Sequence, residues 1–293
     1  MTSLARSPLR VALAGAGSVG TAVASLLQGA GHQIVGISSK SLGSVRRAER
    51  LLAVDAARPF EELARDVDLV LIGAVDVAIG RVAGDIGPAL SPDAVVWHFA
   101  GSLGPDAVTS VLPGAHVAAA HPVQACPDVA TAIARLPGSV WGVTSTSGDI
   151  QGWSEGLIEG DLAGSVVEVD GADRALWHAA AVATSNGIAA LLAAGESILS
   201  SLGFVNPERI LGPLAAGTVS NAREGGGGAA TLTGPVVRGE VRTIERHLEA
   251  LRANPALREA YVQVARTVLT VARSSDRIES DVAAAISTLL ETP

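Results

Sequence analysis

Along residues 10–170, short apolar runs alternate with stretches in which apolar residues recur at helical spacing. The runs at 10–14, 33–37, 69–72, 94–99, 116–120, 140–144 and 166–169 are predicted strands. Helices are predicted among them at 21–28, 45–52, 60–65 and 104–111. Strands that alternate with helices imply an α/β fold built on a doubly wound, mostly parallel sheet. The texture changes after Asp170, where 173–203, 207–223, 239–252, 255–273 and 276–291 read as helices with almost no strand signal. Gly203, the four glycines at 225–228, Gly234-Pro235 and Pro255 punctuate them. The expected organisation is an α/β domain over residues 1–170, followed by an all-α domain over 171–293.

Composition narrows the function classes. Of 293 residues, 48% are apolar and 17% charged, which suits a well-buried core and not a disordered chain. A net charge of −8 argues against nucleic acid, whose phosphates need a basic face. The single cysteine, Cys126, rules out an internal disulfide framework and suits a cytoplasmic location. The N-terminal MTSLARSPLRVALAGAGSVG imitates a secretion signal, but its glycines have a better explanation. The longest apolar segment, 175–194, is interrupted by His178, Ser185 and Asn186, so no membrane span is expected. No histidine or cysteine spacing suggests a metal site. Of 21 basic residues only Lys40 is a lysine, so chemistry that needs a lysine has one candidate.

The loop Gly15-Ala16-Gly17-Ser18-Val19-Gly20 follows a predicted strand and opens a predicted helix, which makes G-x-G-x-x-G a strong dinucleotide signal. Gly15 suits the tight turn, Gly17 close approach to a pyrophosphate, and Gly20 close helix–strand packing. Free N–H groups at the helix start would hold the phosphates. The second strand ends in Ser38-Ser39-Lys40-Ser41, without the acid that grips the ribose of NAD. Small hydroxyls and a cation suit a 2′-phosphate, with Arg46 and Arg47 one turn on, so NADP(H) is favoured. The nicotinamide is expected over the carboxyl ends of the strands, at Gly73-Ala74-Val75, at His98 to Ser102 and at His121-Pro122. For His98 and Ser102 a backbone bond and a helix cap remain open as alternatives.

The predicted helix from 173 carries WHAAAVATSN. At about 100° per residue, His178 and Ser185 share one face and Asn186 lies about 80° further round. Polar groups among alanines need partners, which a ligand would supply. A second constellation joins Thr218 and Asn221 with Thr233, Gly234, Pro235, Arg238 and Glu240. Arg238 could bind a carboxylate in two parallel bonds or pair with Glu240.

GAGSVG, HFAGSLG, AAHPVQ, WHAAAVATSN and LTGPVVRGE, in that order, resemble the NADP-dependent oxidoreductases with a Rossmann-like domain and a tail known as domain of unknown function 2520. The likeness runs from about residue 8 to 270. It implies an architecture similar to the 6-phosphogluconate dehydrogenase, pyrroline-5-carboxylate reductase and ketopantoate reductase superfamily. A helical C-terminal domain there often mediates dimerisation, with the active site at the domain cleft. Many relatives carry a lysine followed by asparagine on this helix, and this chain has none there. The expected catalytic residues are His178 as proton donor, with Asn186 and Ser102. His98, His121, Ser185, Asn221, Thr233 and Arg238 are expected at the substrate. The expectation is a cytoplasmic, homodimeric NADPH-dependent reductase of a small carbonyl acid, best 2-ketopantoate. The alternatives are imine reduction of the pyrroline-5-carboxylate type, or a non-catalytic NADP-binding sensor.

Overall fold

The computed structural model describes residues 8–291. In chain order the first elements are β1 (Arg10–Ala14), α1 (Ser18–Gly29), β2 (Gln33–Ser38), α2 (Leu42–Leu52), α3 (Phe60–Leu63), β3 (Leu69–Ile72) and α4 (Ile79–Ile86). They continue with β4 (Val95–His98), α5 (Asp106–Thr109), β5 (His116–Pro122), α6 (Val129–Arg135), β6 (Val140–Ser145), α7 (Gly148–Gly160) and β7 (Ser165–Glu168). Helices complete the chain: α8 (Arg174–Ser201), α9 (Pro207–Glu224), α10 (Gly228–Thr231), α11 (Val241–Ala250), α12 (Pro255–Ser274) and α13 (Ser280–Glu291).

All seven strands form one sheet in the order β2-β1-β3-β4-β5-β6-β7, parallel except between β5 and β6. The chain leaves β1 toward β2 and returns past it to β3, so the order reverses at the carboxyl ends of β1 and β3. An open sheet of this kind leaves a crevice at such a point. The inner strands LVLI and VVWH are buried along their whole length, as expected for strands covered on both faces. One apolar cluster packs α1, α2, α6 and α7 on one face, and a second packs α3, α4 and α5 on the other.

Three helices within the sheet region, α4, α6 and α7, were not anticipated by the apolar pattern. The sequence of α7, GDIQGWSEGLIEG, has a glycine at every fourth position, and each of these faces open space. Its other face buries Ile150, Leu157 and Ile158, and Ser147 caps its start through the Ile150 N–H. Tertiary burial thereby overrides poor helix propensity. The strand of β5 runs two residues further than predicted, to include His121 and Pro122.

The chain divides into two compact units, one ending at Ser185 and one starting at Asn186. The division falls inside α8, whereas the last strand ends at Glu168. In the second unit Ile244, Leu248, Val262, Leu269, Ile286 and Leu290 make a core from α11, α12 and α13. By contrast α9 buries no residue, and Leu191, Leu202, Phe204, Val205, Ile210 and Leu214 stand exposed. By length and composition the segment Gly171–Ser201, which contains α8, reaches what a membrane span requires, with a mean hydropathy of 1.3 in an 18-residue window.

Candidate functional site

The G-x-G-x-x-G turn is locked by the backbone. Gly15 adopts φ +91°, a conformation side chains disfavour, and donates its N–H to the Ser38 carbonyl at 2.7 Å. The Gly17 N–H donates to the Gly73 carbonyl at 3.0 Å. A Cβ on Gly17 would stand 2.6 Å from that oxygen, and one on Gly20 would stand 2.7 Å from Gly73 Cα. Gly17 is therefore needed to let the turn close on the end of β3, a reason that lies inside the protein as well as toward a phosphate. The start of α1 has no side-chain cap, so its first N–H groups remain available.

A cleft of about 310 Å³ opens there, lined by Gly15 to Ser18, Ser39, Lys40, Ser44, Arg47, Gly73 to Val75 and Arg81, among others. Lys40, Arg47 and Arg81 supply three cations and no carboxylate lines the cleft. Free helix N–H groups together with cations fit the pyrophosphate and 2′-phosphate of NADP. Sequence reasoning missed Arg81, because α4 was not predicted and nothing local marks its exposure to the cleft. Ser38 is buried and accepts from the Gly15 N–H through its carbonyl, the Val19 side chain packs against the apolar core, and Arg46 lies outside the lining. Ser41 caps α2 by accepting from the Ser44 N–H.

Along the sheet, the carboxyl ends of β4 and β5 meet the first turns of α8. Arg174 is fully buried, and its guanidinium donates to the Ala100 carbonyl (2.6 Å), the Ala119 carbonyl (3.1 Å) and Thr144 Oγ1 (3.0 Å). Burial lowers its pKa to about 10, so it stays charged at neutral pH. It ties α8 to the sheet where Trp177 and His178 follow. Trp177 Nε1 donates to His121 Nδ1 at 3.3 Å. The rings of His121 and His178 meet edge to face, 5.3 Å between centroids and 88° between planes. Burial, then the neighbouring His178 and Arg174, lower His121 to about 4. The structure thus brings His121 and His178 together, and adds Trp177 and Arg174, whose apolar or charged character gave no sign of this role.

His98 is fully buried and bonds the Gly104 carbonyl through Nε2 at 3.0 Å. Burial above all lowers its pKa to about 4. The expectation that it meets substrate is corrected, since none of its surface is accessible. Ser102 caps no helix; its hydroxyl donates to Asp76 at 3.5 Å.

The remaining candidates are exposed, Ser185 and Asn186 on α8 and Thr233 among them. The carbonyl of Asn221 accepts from the Gly225 N–H at 2.8 Å, and Thr218 Oγ1 bonds back to the Leu214 carbonyl. Arg238 pairs with Glu240 at 2.6 Å, the second of the two readings its sequence left open. That bond holds the Glu240 carboxyl below its usual range.

A fingerprint turn at the reversal of an open sheet, with a cationic cleft beside it, defines a dinucleotide-binding domain. Two family models match: a Rossmann-like domain covers residues 1–122, and the domain of unknown function DUF2520 covers 139–268. The chain therefore combines a Rossmann-like domain with a C-terminal domain of the DUF2520 family. Among solved structures, it is similar to a candidate NADP oxidoreductase of Bacteroides fragilis, with a TM-score of 0.76 at 22% identity, over 89% of this chain and 97% of that one. A protein of Thermotoga maritima matches at TM-score 0.69 and 22% identity, over 91% and 99%. The pyrroline carboxylate reductase of Plasmodium falciparum, solved with NADP bound, matches at TM-score 0.57 and 14% identity, over 95% and 98%. No curated protein matches the chain by sequence.

Proposed function

We propose that the chain is an NADPH-dependent reductase of a small carbonyl acid, with 2-ketopantoate, reduced to pantoate, as the substrate to test first. The observation that carries the reading is the cleft over Gly15, Gly17 and Gly73, with Lys40, Arg47 and Arg81 in its lining and no acid. The names of the Bacteroides and Plasmodium proteins support the same class. Bound NADPH would supply a hydride to the carbonyl carbon. The residues of the chain then have to orient the carbonyl and deliver one proton to its oxygen. We infer that His178 hydrogen-bonds that oxygen, with Ser102 as a second donor as its charge develops, and that the proton comes ultimately from solvent water. Arg238 pairs with Glu240 through its Nε, so it is not proposed as the carboxylate clamp.

A second reading is reduction of a cyclic imine of the pyrroline-5-carboxylate type. It is favoured by the Plasmodium relative and by the lack of a lysine on α8, because an imine can arrive already protonated.

The reading extends to a cytoplasmic homodimer formed through the second unit. Leu202, Phe204, Val205 and Leu214 are each more than half exposed, an apolar surface a second copy would cover. The deciding experiment follows NADPH absorbance with purified protein and each of the two substrates. Turnover of 2-ketopantoate that collapses in His178→Ala, with NADPH still bound, supports the first reading. Turnover of the imine alone selects the second, and tight NADPH binding with neither substrate consumed leaves a sensor.

A further inference from the structure

We propose that Trp177, His121 and His178 form one hydrogen-bonded chain that fixes the tautomers of both histidines and leaves the His178 Nε2–H as a hydrogen-bond donor to the substrate oxygen, which polarises the carbonyl without itself being lost. The inference deepens the reductase reading above and rests on it for the identity of the acceptor.

The chain starts at a group of fixed polarity. An indole nitrogen can only donate, so the 3.3 Å bond from Trp177 Nε1 makes His121 Nδ1 the acceptor. The proton of neutral His121 then sits on Nε2. The neutral form is the one present near pH 7, since burial and the nearby His178 and Arg174 hold the ring at about 4. Gly142 seats the indole: a Cβ there would come within 2.6 Å of the Trp177 ring.

His121 Nε2 and His178 Nδ1 both face Gly101. A Cβ on Gly101 would overlap His178 Nδ1 and stand 2.9 Å from His121 Nε2. His178 Nδ1 is buried and has no partner among the described residues. Leaving such a nitrogen unpaired costs about 1–3 kcal/mol, and the His121 Nε2–H is the donor beside it. The two rings meet edge to face, 5.3 Å between centroids, and we take this N–H as the donor to Nδ1. Once Nδ1 accepts, the proton of neutral His178 belongs on Nε2. His178 as a whole is only partly buried although its Nδ1 is sealed, and Nε2 is taken as the edge that meets a ligand. A tryptophan that touches no substrate thereby sets which proton the far end of the chain offers, which makes Trp177 a positioning residue.

The test reads imidazole 15N chemical shifts in the intact protein near pH 7.5. Six histidines are few enough for His121→Gln and His178→Gln spectra to assign the two signals. Both are expected as Nε2–H tautomers. In Trp177→Phe the first donor is gone and the chain can run in reverse. His178, itself unchanged, should then shift toward the Nδ1–H tautomer. Where turnover is present, kcat should fall about tenfold or more, as for other misplaced histidine protons, with the KM for NADPH unchanged. His121→Phe provides an independent break and should also erode the Nε2–H preference of His178. An Nδ1–H tautomer at His178 in the unaltered protein, or one that neither substitution moves, overturns the proposal. The nitrogen shifts need no turnover, so absent reductase activity with the expected shifts would remove the reductase reading alone.

Discussion

His98 ties stability to pH in a way that can be measured apart from function. Its ring is fully buried, donates Nε2–H to the Gly104 carbonyl and has no second partner among the described residues. Desolvation lowers its pKa from 6.5 to about 4. The unfolded chain therefore takes up a proton that the folded chain refuses as pH falls from 6.5 toward 4. The stability contribution is fully present above about pH 6.5 and is lost as pH falls through this window. With those two values, the loss is about 2 kcal/mol at pH 5 and about 3 kcal/mol at pH 4. Divided by a urea slope of about 2 kcal/mol per molar, the first corresponds to a midpoint lower by about 1 M. All four tryptophans precede residue 186, so fluorescence-detected urea unfolding reports the first unit alone. Carboxylates titrate over part of the same range, and a difference between two proteins removes them. His98→Gln keeps a donor for the Gly104 carbonyl and cannot be protonated. Its midpoint should fall less between pH 7.5 and pH 5, by about the 1 M that His98 accounts for. Equal pH dependence in the two proteins would refute the reasoning.

Two further outcomes test other parts of the structure. Lys40→Ala combined with Arg47→Ala should raise the KM for NADPH about tenfold or more, the value of losing a charge-assisted bond, and leave that for NADH nearly unchanged. Equal loss for both cofactors would mean these cations do not read the 2′-phosphate. Sedimentation at micromolar concentration should show a dimer that Leu214→Asp dissociates, because Leu214 is 67% exposed on a helix that buries nothing. A monomer would remove the dimer, and recovery with added lipid vesicles would assign the apolar face of α8 to a membrane instead.

The cofactor half of the candidate site was legible because its parts are consecutive. Gly15 to Gly20 must serve as turn, close approach and helix start within six positions, and each requirement is met locally by absence of a side chain. The strand–helix alternation was legible for the same reason: β3 and β4 are buried on both faces and are therefore apolar but for His98. Helices whose apolar stripe is diluted by glycine, such as α7, were not, because their stability comes from the sheet they cover.

Chain chemistry by itself determined the parallel α/β fold, the dinucleotide turn, the missing acid after β2 and the helical tail. Tertiary structure alone decided which polar side chains are available and which are consumed. His98 and Arg238 look like candidates in sequence, yet one is sealed beneath the Gly104 carbonyl and the other is paired with Glu240. Trp177 and Arg174 look like packing and surface charge, yet one orients His121 and the other anchors α8 to the sheet. The reason is that a hydrogen bond across 56 or 74 positions leaves no periodic trace, and only the packed fold assigns each donor its acceptor.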